Sequence, residues 1–255
     1  MTKKPLLLAI DTATRFAGLA IYDGEFVLAE SWWLSQNNHS VELMPALVRM
    51  LDRQNIAAGD LSAVAVAIGP GSFTGLRIGL SVAKGLAVAN NIALLGVPTL
   101  DIYTVVGSRH VVYNMPLPQT PPQPVLPGID RMLNFYPTEQ RRPLLAVIQA
   151  GRKRLCAARY EYRGGQWKQR GALQLTNLEG LSRLISSRIL VCGELSKEEI
   201  AYLSRRVETD VAFATPSQAI RHPACLAELA WQRLERGEQS DLATLSPIYL
   251  KSPQT

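Results

Sequence analysis

The feature that most constrains this chain is the segment from residue 61 to residue 100, which carries almost no charge. Its only charged residues are Arg77 and Lys84. An apolar run leads into the glycine-rich loop "GPGSFTG", a helical pattern continues to Asn90, and the apolar run "IALLGVP" follows. This strand–helix–strand order predicts two parallel strands joined by a right-handed crossover. A helix that is apolar on several sides is buried on several sides.

The glycine loop is a candidate anion site, because glycines allow positive φ and a helix N-terminus offers free N–H groups. A phosphate-binding P-loop needs a lysine after its last glycine, and here Leu76 follows Gly75. A dinucleotide fingerprint needs an acidic residue about twenty positions on, and none occurs from 61 to 99. Asp11 ends the first apolar run and precedes small hydroxyl residues. A nucleotide-type loop explains this arrangement, and a plain Asx turn explains it equally well. We therefore predict degenerate nucleotide-type loops at Asp11, Thr12, Gly69, Gly71 and Ser72.

Two consecutive helices carry more apolar surface than one packed face requires. In the second, small residues recur at every fourth position beside a parallel apolar ridge. In the first, within "NNHSVELMPALVRMLDRQN", the stripe Val41, Met44, Leu47/Val48 and Leu51 is accompanied by another stripe on a different side. This extra apolar surface predicts that the two helices form an interface with a partner. The alternative is that the two helices cover each other's apolar surface. The predicted interface residues are Leu43, Ala46, Met50, Gly75, Ile78, Gly79, Val82, Ala83 and Leu86.

The remaining pattern predicts an α/β protein with two lobes. The chain opens with strands at 6–10, 17–22 and 26–33, the last two joined at the hairpin signal Asp23-Gly24. Prolines concentrate between 116 and 143, where neither a regular helix nor a ladder is expected. We predict an N-terminal lobe at 1–106 with the interface helices, a proline-rich insertion at 107–143, and a second α/β lobe at 144–255 with a C-terminal helix.

Charge and cysteine usage indicate the environment of the chain. The formal net charge is +6 over 255 residues, and segment 139–170 holds nine Lys/Arg against two acids. Such a patch can bind phosphates, or it can be a solvated strand edge. Three scattered cysteines form no CxxC pair and favour a reducing cytoplasm. No apolar run approaches the ~20 residues that span a bilayer, so no membrane partner is expected.

The chain shows no recognisable catalytic set. His39, His110 and His222 lack metal-ligand spacing, and Ser72 is not in a nucleophile elbow. His39 stands at a helix start, where a capping or solvent-facing role is the simpler interpretation. No second carboxylate pairs recognisably with Asp11. We expect no metal and no cofactor.

Five segments resemble a known family: "LLAIDTATRFAGLAIYDG", "HSVELMPAL", "VAIGPGSFTGLRIGLSVAKGLAVAN", "LLGVPTLD" and "PIYLK". They are similar to the TsaB family, the dimerisation subunits of the bacterial tRNA threonylcarbamoyladenosine machinery. The resemblance covers most of residues 6–104 and implies an actin/Hsp70/sugar-kinase-like (ASKHA) fold with two mixed-sheet lobes. It implies a non-catalytic scaffold that pairs with the catalytic subunit TsaD or with itself, and that works with the ATPase subunit TsaE and tRNA.

The resemblance also bears on catalysis. The catalytic relative carries a His-x-x-x-His metal pair where this chain has Thr99 and Tyr103. The family's Asp-Ala-Arg turn is replaced here by Gln149-Ala150-Gly151-Arg152. The alternatives are an active metal-dependent transferase or peptidase of the superfamily, or an ATP-binding kinase-like enzyme. A weak tRNA contact through Arg152, Lys153 and Arg154 is a further expectation.

Overall fold

The first lobe is built on a five-stranded mixed sheet. The computed structural model describes residues 4–109, 142–151, 153–186, 188–207 and 211–249. Strands β1 (Leu7–Asp11), β2 (Phe16–Tyr22) and β3 (Val27–Leu34) form the predicted antiparallel meander, each within one residue of its expected bounds. Strands β4 (Ala63–Ala67) and β5 (Ala93–Val97) continue the sheet in parallel, in the order β3-β2-β1-β4-β5. The predicted parallel crossover is thus confirmed.

The second lobe repeats this topology. Strands β6 (Leu144–Gln149), β7 (Leu155–Arg163) and β8 (Gln166–Thr176) are antiparallel neighbours. Strands β9 (Ile189–Gly193) and β10 (Val211–Phe213) then add in parallel, giving the order β8-β7-β6-β9-β10. In both sheets the first strand is central, two antiparallel strands lie on one side and two parallel strands on the other. No internal repeat is recognisable in the sequence, so the duplication is visible only in the structure.

Helices cover both faces of the first sheet. α1 (His39–Arg53) and α2 (Phe73–Asn90) pack on one face, where Leu8, Ile10 and Leu19 point. α6 (Pro223–Glu235) packs on the other face against β1 and β2. The sequence interpretation grouped this C-terminal helix with the second lobe, but its contacts are with the first sheet. The apolar residues Cys225, Leu226 and Ala230 of α6 seal a core of small strand residues.

The second lobe has its own helices and core. α3 (Tyr103–Arg109) lies between the lobes, and α4 (Leu178–Leu184) and α5 (Lys197–Arg206) cover the outer face of the second sheet. The predicted proline-rich insertion falls almost wholly outside the described residues. Within the described ranges, no helix is long and apolar enough to cross a bilayer.

Candidate functional site

Asp11 ends β1 at the boundary between the lobes, and Thr12 follows it. The Asp11 Oδ1 accepts a hydrogen bond from the Ala13 amide at 2.9 Å, which is the Asx turn that the sequence allows. The Thr12 hydroxyl donates to the Gly75 carbonyl at 2.7 Å. Both residues are buried. Their polar atoms are engaged inside the protein rather than directed at solvent.

Arg221 occupies the space in front of Asp11. Its Nε donates to Asp11 Oδ2 at 2.8 Å and one terminal nitrogen donates to Glu194 Oε1 at 2.6 Å. The other donates to the Thr14 hydroxyl at 2.9 Å and to the Phe16 carbonyl at 3.3 Å. Burial lowers the pKa of Arg221, but Asp11, Tyr103 and Glu194 raise it by more, so the guanidinium stays charged. One side chain therefore joins an acid of the first lobe to an acid of the second.

Glu194 is the acid that sequence reasoning missed. It follows β9, and its side chain is 6% exposed. The Thr14 hydroxyl donates to Oε1, and the backbone N–H of Gln149 donates to Oε2 at 3.1 Å. Gly193 makes this turn possible at φ +141°, because a Cβ there would lie 1.8 Å from the Val147 carbonyl oxygen. The only sequence signal was a Gly-Glu pair at the end of a predicted strand.

The glycine loop packs against the Asp11 turn and does not cradle an open space there. A Cβ on Gly71 would lie 2.2 Å from the Ala13 carbonyl oxygen, and one on Gly75 would lie 2.2 Å from that of Thr12. The Ser72 amide donates to the Ala13 carbonyl at 2.6 Å, and its hydroxyl caps α2 by accepting from Gly75. Gly69 exchanges hydrogen bonds with Thr99. The loop thus positions the start of α2.

Thr99 and Tyr103, which the family resemblance sets beside a relative's metal pair, serve packing. Thr99 is fully buried against Gly69, and the buried ring of Tyr103 lies 5.9 Å from the Arg221 guanidinium. His39 is 4% exposed rather than solvent-facing, and burial lowers its pKa despite Glu42 and Asp11 nearby. Among the described residues, no group of three His, Cys, Asp or Glu side chains is placed to share a metal ion.

The predicted interface residues of α2 mostly face inward. Gly75, Gly79 and Ala83 are buried, and a Cβ on Gly79 would lie 2.2 Å from the Thr12 hydroxyl. The small-residue ridge therefore allows α2 to approach the β1 turn and not a partner helix, which corrects the sequence interpretation. The ridge Ile78, Val82 and Leu86 is partly buried against the first-lobe core.

The α1 stripe predicted at the interface packs inward, and the other stripe is divided, because its residues Leu47 and Leu51 are also buried. Leu43 and Met50, placed at the interface from the sequence, are buried in the first-lobe core, and Ala46 is partly buried against it. The large hydrophobic side chains of α1 that reach solvent are Val41 at 68%, Met44 at 44% and Val48 at 49% exposure. These three form an exposed apolar ridge at helical spacing.

The solvent face of α2 carries a second small-residue stripe. Ser81, Gly85 and Ala89 recur at every fourth residue and are all exposed. No atom lies within 4 Å of a Cβ built on Gly85, so nothing in the described chain requires glycine there. Glycine in an exposed helix interior costs about 1 kcal/mol relative to alanine. No contact within the described chain offsets that cost. α1 and α2 pack together, so the "helix-pair surface" (Val41, Met44, Val48, Ser81, Gly85, Ala89) lies on one side of the lobe.

The chain's last described residues join the glycine loop. The Ile248 amide donates to the Ile68 carbonyl at 2.7 Å. The Tyr249 ring lies 5.1 Å from that of Phe73, and its hydroxyl accepts from Arg77 Nε at 3.0 Å. Two segments that carry the family resemblance therefore meet at the start of α2.

A cleft of about 780 Å³ opens between the lobes beside Arg221. The glycine loop and the strand-end turn at Thr14 form one wall, and the β9–α5 turn and Phe213 form the other. Lys153 and Arg154 are exposed in the turn between β6 and β7, whose residues Ala150 and Gly151 line this cleft, and Arg152 lies outside the described residues. The two lobes thus leave a cleft between them, and the nearby acids Asp11 and Glu194 are paired with the buried Arg221.

The duplicated sheets define an α/β protein of the actin/Hsp70/sugar-kinase-like (ASKHA) fold. YeaZ from Pseudomonas aeruginosa has the same fold, with a TM-score of 0.70 at 23% identity, covering 96% of this chain and 100% of that one. The activator of a 2-hydroxyisocaproyl-CoA dehydratase from Clostridium difficile, solved with ADPNP, gives a TM-score of 0.50 at 9% identity over 91% of this chain and 96% of that one.

Sequence comparison is more specific for the first lobe. Residues 33–120 match the family model described as "TsaD: tRNA N6-adenosine threonylcarbamoyltransferase". The "tRNA threonylcarbamoyladenosine biosynthesis protein TsaB" of Bacillus subtilis is 41% identical over 104 residues, which are 41% of this chain and 45% of that protein. The Escherichia coli TsaB is 37% identical over 94 residues, 37% of this chain and 40% of that protein. The aligned part is thus less than half of either relative. In its first lobe the chain is similar to the TsaB proteins.

Proposed function

We propose that this chain is a non-catalytic scaffold and dimerisation subunit that supports the transferase of tRNA threonylcarbamoyladenosine synthesis. The observation that carries the proposal is the helix-pair surface. Its exposed apolar ridge on α1 and the unexplained Gly85 on α2 fit a partner that presents helices. The candidate partner is TsaD, whose family model matches this chain, and TsaE and tRNA complete the proposed assembly. In the absence of TsaD, a homodimer through the same surface is the expected substitute.

The Arg221 network supports the non-catalytic part of the proposal. An acid that holds a metal-bound phosphate must present its oxygens to the cleft, but Asp11 gives one oxygen to the Ala13 amide and the other to Arg221. Glu194 is bound by Arg221, Thr14 and Gln149 in the same way. Breaking such a buried pair costs several kcal/mol. The Arg221 guanidinium thus pairs with the two acids that would otherwise hold a metal ion and its phosphate.

Light scattering of the purified protein mixed with TsaD tests the proposal. Wild type is expected to form a hetero-complex, and Gly85→Arg, which places a bulky cation on the helix-pair surface, is expected to remain free. Ala201→Arg on the exposed side of α5 is the matched control and is expected to bind TsaD. Circular dichroism checks that each variant is folded. Complex formation by Gly85→Arg would contradict the assigned surface.

The alternative, an ATP-binding enzyme, is favoured by the cleft beside Arg221. Isothermal calorimetry with ATP, with and without Mg²⁺, separates the two functions. Under the scaffold proposal, Mg²⁺ does not strengthen ATP binding, because Asp11 and Glu194 are already paired. Magnesium-dependent binding together with threonylcarbamoyl transfer by the chain alone would establish the enzyme instead.

A further inference from the structure

The outer face of the hairpin formed by β7 and β8 concentrates positive charge. Along β7, Arg159, Glu161 and Arg163 point to one side at every second residue, about 7 Å apart. The strand register places Arg170 opposite Arg159 and Lys168 opposite Glu161. Four cations and one carboxylate therefore share this "hairpin face" (Arg159, Glu161, Arg163, Lys168, Arg170).

Three guanidinium groups converge on the single carboxylate. Glu161 Oε2 lies 2.8 Å from an Arg163 terminal nitrogen and 3.1 Å from Arg170 Nε, and Oε1 lies 3.8 Å from Arg159 Nε. Partial burial raises the pKa of Glu161, but the three arginines lower it by more. One carboxylate cannot occupy the donors of three guanidinium groups, each of which has five N–H bonds.

This arrangement is unfavourable for the isolated chain. Like charges directly opposite each other on neighbouring strands, as in the Arg159–Arg170 pair, destabilise a sheet. Scattered charges are sufficient to keep an edge strand solvated. Here the β7–β8 register instead brings the cations together on one face. Arg163 is 64% exposed and Arg170 43% exposed, so their remaining donors face solvent. An anion with several charged oxygens would compensate the excess.

We infer that the hairpin face binds the phosphate backbone of RNA, an inference that rests on the proposed role in tRNA modification. Planar guanidinium groups match phosphate oxygens with paired hydrogen bonds. A lipid surface fits less well, because membrane-bound segments add apolar side chains to their cations. On this hairpin the apolar rings of Tyr162 and Trp167 contact each other on the opposite side, and Trp167 packs near Gly107.

Fluorescence anisotropy of a labelled, unmodified tRNA transcript with the purified protein tests the inference. The hairpin variant is Arg163→Gln/Lys168→Gln/Arg170→Gln, which keeps the Arg159–Glu161 pair. The control is Arg53→Gln/Arg205→Gln/Arg236→Gln, which removes the same charge at exposed positions elsewhere. The hairpin variant is expected to bind at least about tenfold more weakly. Its slope of log affinity against log salt, from ~50 to ~200 mM, should fall by about 0.9 for each lost phosphate contact, and the control should change little.

Three results would overturn the inference. They are wild type that does not bind the transcript, equal losses in the hairpin and control variants, and binding of phosphatidylcholine–phosphatidylserine vesicles in place of RNA. Light scattering with TsaD separates this inference from the proposed function. The hairpin variant is expected to form the TsaD complex normally, and failure of wild type to form it would count against the scaffold role, whatever the RNA result.

Discussion

Arg221 Nε lies 2.8 Å from Asp11 Oδ2, although the two residues are 210 positions apart in the sequence. Both side chains are almost completely buried, and the same guanidinium reaches Glu194 in the second lobe. The pair therefore does two things at once. It fixes one lobe against the other, and it neutralises the buried acid at the end of β1.

Removing Arg221 should destabilise the protein strongly. Arg221→Met leaves two buried carboxylates without their cation, which typically costs about 3–5 kcal/mol. Urea unfolding followed by circular dichroism measures the loss. The triple variant Arg221→Met/Asp11→Asn/Glu194→Gln removes the charges together and should recover most of the stability. If Arg221→Met alone is as stable as wild type, the ion pairs do not hold the lobes.

Adjacent residues of α1 should behave in opposite ways. Leu43 is 1% exposed in the first-lobe core, so Leu43→Ala should lower the free energy of unfolding by about 2–5 kcal/mol. Met44 is 44% exposed, so Met44→Glu should leave stability within about 0.5 kcal/mol of wild type. In the TsaD mixture, however, Met44→Glu should abolish the complex. Retention of the complex by folded Met44→Glu would exclude the α1 ridge from the interface.

These helices show where sequence reasoning succeeded and where it stopped. Apolar periodicity and the Asp23-Gly24 turn were sufficient for the strands and helices of the first lobe, because those signals are local. The outward face of α1 was predicted wrongly because apolar residues recur on two sides of the helix, and the stripe through Val41 also contains Leu47 and Leu51, which are buried beside Leu43. Packing on the sheet selects between them, and no local signal reports that choice.

The site was less predictable than the fold. Asp11 was recognisable because it ends a strand, but Arg221 stands in a segment with no motif, and its role arises only when the lobes meet. The Gly79 ridge was predicted as a contact for another helix, since small residues allow any close approach. In the structure the approaching group is the Thr12 hydroxyl.

Acidification should destabilise the protein partly through His39. Burial holds the pKa of this imidazole below its ordinary value of 6.5, although Glu42 and Asp11 raise it. The unfolded chain therefore binds a proton before the folded one does, and stability falls as the pH drops through 6.5 and below. The difference in unfolding free energy between pH 7.5 and 5.5 should be smaller in His39→Leu. Equal differences in both proteins would show that His39 is not held neutral.

Two glycines of α2 should separate folding from association. Gly85→Ala adds a methyl group in open space, so the isolated protein should gain about 1 kcal/mol of helix stability. Gly79→Ala places its Cβ 2.2 Å from the Thr12 hydroxyl and should destabilise the fold. Thermal unfolding measures both changes. If a partner helix approaches Gly85 closely, the more stable Gly85→Ala protein should bind TsaD more weakly, which light scattering at a series of dilutions would detect. A protein that is more stable and binds TsaD equally well would leave Gly85 without a role in association, and the helix-pair surface would then have to be assigned from Val41, Met44 and Val48 alone.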